Sequence, residues 1–537
     1  MRRFIKIAST LAWSFAFGIL SAQAADSPPK PPSVIALDGE VQDVGWRLPE
    51  GHYVPAKMPM TLVHPRPENE TSAWARHKKA HPGIEYRIPI SVQGGAYPFH
   101  YEVIQGPPGM SISGQYGLED YGILTWTPAE EGGPYRVKVR ITDQELTEQL
   151  AEWDITATTD GFVFVDVNAA TGGDGSIRSP LKRFSELDGG LTGSASHAGK
   201  VAYLRGGTHF SADAPKKEFV LRSDISPMSL IGYPGENVVL DLSNTNFRTK
   251  DGSMAHDLFV ADLTIRNSYV AADGQTNSRM FDMNGNTGHR FTLFNNNFEN
   301  VYARGTGDYA HLPSGSNQGI VHIGTKSGSE YDQYWTLWGN SLANVQARGF
   351  GSLYGTQYGV LEANVMIEPV GGKGNMIDLK LQNDAWSWRR NVATVNGLDD
   401  DIFQTRHGAG AATPSPLRVE MCYNILRGMS APAIVKFAGA PTSYPEYRNY
   451  DWVYRNTLIG MVKGGDYGTP YTLAFENNVY ITDGTHHQPS GTVRTVVVTD
   501  DLTGKNADLN MMLDEEYRLK GEYRERYLGK RGHEIAH

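Results

Sequence analysis

Cysteine is nearly absent from these 537 residues: Cys422 stands alone, which excludes an intramolecular disulfide. Because it lies inside a recurring strand pattern, it is expected as a buried structural thiol and not as a nucleophile. Basic charge is also short. Lys and Arg number 49 against 59 Asp and Glu, and the net charge of −10 argues against nucleic acid or an anionic membrane as partner. Beyond the first 24 residues no apolar run reaches membrane-spanning length, so no membrane span is expected. Long helical patterns are few, and leucine never recurs at the fixed spacing of a leucine-rich repeat. Glycine (59), proline (29) and tyrosine (27) are plentiful, the composition of many short strands joined by turns. The expected class is all-β.

Residues 1–24 carry Arg2 and Arg3, an apolar stretch from Leu11 to Leu20, and Ala22-Gln23-Ala24, which reads as a secretory signal cleaved after Ala24. A secreted or periplasmic, monomeric protein is expected. Residues 25–84, with Pro28, Pro29, Pro31 and Pro32, read as an extended lead-in. From 85 to 158, alternating runs such as Tyr86-Arg87-Ile88-Pro89-Ile90 and Tyr135-Arg136-Val137-Lys138-Val139 predict an antiparallel sandwich. The phrases Gly106-Pro107-Pro108-Gly109-Met110, Leu124-Thr125-Trp126-Thr127-Pro128 and Gly133-Pro134-Tyr135 resemble the Ig-like modules of bacterial surface and secreted enzymes.

Between 278 and 482 one phrase recurs, a hydrophobic strand, an asparagine and a second strand. Its asparagines are Asn297, Asn340, Asn364, Asn391, Asn424, Asn456 and Asn478, at intervals of 22 to 43 residues, close to one coil of a solenoid. Asparagine suits a tight bend because it tolerates left-handed backbone angles and its amide can bond to its copy one coil away. A solenoid over 160–499 is expected, with 500–537 as its far cap. Phe162-Val163-Phe164-Val165-Asp166, followed by Gly172-Gly173-Asp174-Gly175, resembles the opening of secreted right-handed parallel β-helix proteins. In them a first strand and a short amphipathic helix, here Leu181–Leu187, cover the open end.

In such a coil, residues along a strand alternate between core and outside. Turning the apolar residues inward leaves Asp282, His322, Tyr354, Asp378, Lys380, Gln404, Arg406 and Lys436 outside. Stacked about 5 Å apart, these positions are expected to form one exposed column, locally cationic on an acidic protein. Taken singly each would be an ordinary solvated side chain; the reading rests on their convergence.

Fold and column together resemble the secreted β-helix polysaccharide lyases, the group of pectate lyases, chondroitinase B and related alginate lyases. That resemblance implies β-elimination from a uronic-acid polysaccharide. A basic residue takes the C5 proton, which becomes acidic once the adjacent carboxylate is neutralised. Lys380 and Arg406 lie 26 residues apart, matching the one-coil offset of the base lysine and arginine in the chondroitinase B branch. Lys380 is therefore assigned as base and Arg406 as carboxylate neutraliser or acid, with His322 and Tyr354 as acid/base alternatives and Asp282, Asp378, Gln404 and Lys436 as substrate contacts. The acidic pair that holds calcium in that branch has no clear counterpart, since only Asn375 and Asp378 precede Lys380; no metal ligand is assigned and Ca²⁺ stays an open option. Two other classes remain: a β-helix glycoside hydrolase, for which Asp399-Asp400-Asp401 would supply carboxylates, and a non-catalytic glycan-binding or adhesion solenoid. Trp386 and Trp388 are open between stacking on sugars and packing in the core.

Overall fold

The computed structural model describes residues 46–66, 75–114, 116, 120–187, 197, 199–210, 218–221, 229–242, 246–249, 256–267, 279–282, 289–301, 319–322, 332–345, 349–367, 376–380, 383–394, 401–407, 418–428, 434–439, 449–464, 471–482, 495–499, 501–505, 509–515, 517–527 and 530–532. The expected signal (1–24), the loops 306–318 and 409–416, and Asn375, Asp399 and Asp400 lie outside the described residues.

Short apolar strands separated by bends coil into a parallel β-helix with three faces. The first face is a 12-stranded sheet running from Phe162–Val165 to Thr495–Thr499, and the second an 11-stranded sheet from Gly207–Phe210 to Leu502–Gly504. The third face is split into a four-stranded sheet, Glu218–Leu221 to Gly319–His322, and a five-stranded sheet, Ser352–Tyr354 to Val462–Gly464. Inward residues from all three faces form one continuous core that includes Trp335, Trp386 and Trp388, so both open tryptophans pack inside. At the first coil Leu181, Phe184 and Leu187 join that core, but the cover is a single 3-10 turn, Phe184–Leu187, in place of an amphipathic helix.

The bends between the first and second faces follow a two-residue rule. The residue in the left-handed region is Asn295, Gly339, Ala363, Arg390, Tyr423, Arg455 or Asn477, with φ between 53° and 67°. The next residue is the ladder asparagine: Asn296, Asn340, Asn364, Asn391, Asn424, Asn456, Asn478. Each gives its backbone N–H and its Nδ2 to the Oδ1 one coil on, at 2.9–3.1 Å, and the last gives both to Asp501. Two corrections follow. The first rung is Asn296 and not Asn297, and the asparagine supplies the hydrogen-bond ladder while its predecessor supplies the left-handed turn. The amide wins that place because the bend buries backbone groups that need a partner of both polarities.

Antiparallel sheets precede the helix. His100–Gln105, Gly132–Thr142 and Glu148–Ala157 form one layer, Tyr86–Pro89, Ile123–Trp126 and Ser111–Ile112 another, and Thr61–His64 pairs with Ser91–Gln93. This unit lies flat on the outer side of the first face. Phe162, Phe164, Tyr203, Phe259, Phe294, Trp338, Cys422 and Tyr454 share one core with Tyr86, Tyr97, Tyr101 and Trp153. Buried on both sides, the first-face strands read as unbroken apolar runs, as in Phe162–Val165 and Val201–Leu204. Cys422 is fully buried in this layer, and burial pushes its thiol pKa up.

The same layer holds two ion pairs shut away from water. Arg389 reaches Glu420 at 2.5 Å and gives further N–H bonds to the Val92 and Gly94 carbonyls at 2.8 and 2.7 Å. Arg390 meets Glu362 at 3.1 Å, and the Tyr97 hydroxyl gives its proton to the same carboxylate. Helices Leu509–Met512 and Gly521–Tyr527 belong to a segment that packs on outward side chains of the second face, among them Ile459, Val479 and Ile481.

Candidate active site

The five-stranded part of the third face sets the expected residues in register. Tyr354, Lys380 and Arg406 are successive partners, continued by Ala438. Two residues upstream run Ser352, Asp378, Gln404, Lys436 and Lys463. Parallel pairing sets such neighbours about 4.8 Å apart. Ile377, Leu379, Phe403 and Phe437 belong to the solenoid core, which fixes the alternation along these strands. For Lys380, Arg406, His322 and Asp282 the description extends to backbone and register only.

His322 does not join that column. It ends a strand of the four-stranded part, where it pairs with Asp282, itself paired with Arg248. The next coil abuts it through Ile320 and Val321 amides bonded to the Gly349 and Phe350 carbonyls. That offset sets His322 beside the Gly351–Ser352 step, in line with Asp378 and not with Lys380. The single column thus resolves into two parallel rows.

Burial differs from the expected open surface. Asp378 and Gln404 alternate with core residues yet have no solvent exposure, whereas Tyr354 is partly exposed. Asp401, 1% exposed, stands before the Phe403–His407 strand and takes the Lys436 ammonium at 3.2 Å. Asp378, Gln404 and Asp401 are thus each buried, and of this group Lys436 is 34% exposed. Carboxylates this deep stay charged only where cations or hydrogen-bond donors face them.

Two members were missed from sequence. Lys463 follows inward Val462 in the last strand of the sheet and extends the Gln404–Lys436 row by one coil; the same alternation that found Lys436 would have found it. Asp401 entered the sequence reading only as one of three aspartates open to a hydrolase, because nothing in Asp399-Asp400-Asp401 singles out the one that meets Lys436. Among the described residues no group of three or more His, Cys, Asp or Glu side chains is arranged to hold a metal ion.

No protein-family model matches the chain, and no curated protein matches it. Among solved structures it is similar to a rhamnogalacturonan lyase. The identity is 11%, the match covers 69% of this chain and 99% of that chain, and the TM-score is 0.38. What the site can do follows from its own residues. A row of lysine, arginine and tyrosine suits an acidic ligand.

Proposed function

We propose that the protein is a polysaccharide lyase that cleaves a uronic-acid-containing chain by β-elimination on the third face of the helix. The observation that carries this reading is the register of Tyr354, Lys380 and Arg406 on three successive coils. Lys380 in its neutral form takes the C5 proton. The electron pair left at C5 forms the C4–C5 double bond as the C4–O bond breaks, and the departing oxygen is protonated by the Tyr354 hydroxyl or by the newly formed Lys380 ammonium. Arg406 faces the uronate carboxylate, whose neutralisation makes C5 acidic. Cationic neighbours favour neutral lysine at working pH, a role for Arg406. Asp378 and Gln404, expected as substrate contacts, are shut from solvent and take no part in this step. An exported location fits such a substrate and belongs to the same proposal.

Asp401 favours one rival. Together with Asp378 it gives the site two buried carboxylates, the equipment of a glycoside hydrolase. A panel of uronic-acid polymers separates the two. Elimination creates an unsaturated uronide with ultraviolet absorbance, whereas hydrolysis yields reducing ends without it. Lys380→Ala is expected to lower turnover by about 10²–10⁴-fold while leaving the thermal midpoint nearly unchanged. Reducing ends without absorbance, or full activity in Lys380→Ala, would overturn the lyase assignment.

A further inference from the structure

A cavity of about 360 Å³ opens on another side of the molecule, where the antiparallel unit meets the bends between the first and second faces. Glu85, Arg87 and Arg76 come from the antiparallel side. Tyr233, Glu236, Asp262 and Thr264 come from successive coils. The volume lies in the range of small-molecule sites, and the wall chemistry is unlike that of a packing defect, which would be apolar.

The polar groups here have spare capacity. Arg76, 2% exposed, gives N–H bonds to the Lys79 carbonyl at 2.6 Å and the Tyr203 hydroxyl at 3.3 Å, and only its Nε–H has no acceptor. Arg87 meets Glu85 and Asp262 only as loose ion pairs at 3.3 and 3.6 Å. Asp262 accepts one bond from Asn295 Nδ2 at 2.6 Å. Tyr233 is held as a fixed ring: the Arg205 guanidinium covers it at 4.3 Å, and Glu236 locks that guanidinium through Nε at 2.9 Å. A buried donor with no partner calls for an explanation, and an acceptor brought by a ligand supplies one.

The charges select the ligand. With Glu236 already paired to Arg205, two guanidiniums face two carboxylates, Glu85 and Asp262, a balance that favours neither a polyanion nor a bare cation. An uncharged polyol meets every demand at once: its hydroxyls give to Glu85 and Asp262 and accept from Arg76 and Arg87, while its C–H face lies on a rigid aromatic ring.

We propose that this cavity binds an uncharged sugar unit of a glycan, at a site separate from the lysine–arginine row. The proposal does not depend on the reaction assigned to that row. Calorimetric titration of the full chain with methyl β-galactoside, methyl α-mannoside, maltose and cellobiose tests it, with glucuronate and inorganic phosphate as charged probes. At least one neutral glycoside is expected to bind. Arg87→Ala and the isosteric Thr264→Val should each weaken it by about tenfold, the loss of one or two hydrogen bonds, and Lys380→Ala should leave it unchanged. Circular dichroism confirms that the variants fold. The proposal is overturned if no neutral glycoside binds, if both cavity variants bind as tightly as the parent, if Lys380→Ala abolishes binding, or if phosphate or glucuronate is preferred.

Discussion

Asn364 shows how much one side chain carries in this helix. Its Oδ1 accepts from the Asn340 backbone and side-chain nitrogens, both at 3.0 Å, and its Nδ2 donates to the Leu337 carbonyl at 2.8 Å and to Asn391 Oδ1 at 3.0 Å. Asn364→Ala strands several buried groups at once and is expected to cost about 2–4 kcal/mol in urea unfolding. Glycines separate two other costs. Gly339 has φ +67° and no atom within 3.9 Å of an added Cβ, so Gly339→Ala meets only the left-handed penalty of about 1 kcal/mol. Gly359 has no such angle, but its Cβ would fall 2.2 Å from the buried Trp386 ring, and Gly359→Ala should cost about 3 kcal/mol through overpacking. Equal losses for the two would refute this division. The ladder was legible as a recurrence of asparagine, but not its first rung, because Asn295, Asn296 and Asn297 stand in a row and only hydrogen bonding distinguishes them. The site shows the same split: one coil of spacing was enough to pair Lys380 with Arg406, whereas the burial of Asp401 goes with a partner, Lys436, from the next strand.

Among elements, the first face decides how the molecule is assembled, since it is core on one side and docking surface on the other. Trp388-Arg389-Arg390-Asn391 resembles an exposed basic pair in sequence, yet Arg389 is fully buried and Arg390 is 3% exposed. Their partners lie at Val92, Gly94, Glu362 and Glu420, too distant in the chain for any local pattern to reveal. Burial works against the charge on Arg389, but Glu420, joined by Cys422, Glu362 and Tyr454, moves its pKa upward overall. Glu420→Gln removes that carboxylate while the guanidinium stays in place, an expected loss of about 3–5 kcal/mol. The double variant Arg389→Met/Glu420→Leu is expected to recover much of it, because a matched apolar pair leaves no buried charge. A double variant as unstable as the sum of its singles would show that the ion pair is not the reason for the loss. In the first strands of this sheet, Phe162–Val165 and Val201–Leu204, the alternation fails for a physical reason: with both sides covered, inward and outward positions are equally apolar.

At the scale of the whole molecule, the contact between antiparallel unit and helix contains titratable groups whose protonation opposes folding. His64 donates its Nδ1–H to the Pro89 carbonyl at 2.7 Å and packs on Phe259 of the first face, while His77 lies edge-on to Trp153. Desolvation pushes His64 down to about 4, against the opposing pull of the Pro89 carbonyl and Asp257 and with the help of Arg76. His77 moves the same way, chiefly through burial and then through His64. Both imidazoles are thus neutral when folded but bind protons in the unfolded chain below its pKa of 6.5, so their contribution is complete above 6.5 and is lost as pH falls toward 4. Asp501, at the end of the asparagine ladder, has the opposite sign: burial raises it from 3.8 to about 6, so it destabilises above 6 and that penalty fades on acidification. With His197 and His209 also lowered by burial, four histidines stand against two raised carboxyls, Asp501 and Asp262, and predict a net fall in the unfolding midpoint between pH 6.5 and 4. His64→Gln/His77→Phe should flatten that fall, and Asp501→Asn should steepen it by removing a compensating group. Urea titrations across the same window check both, and an undiminished slope in the double histidine variant would move the acid sensitivity away from this contact.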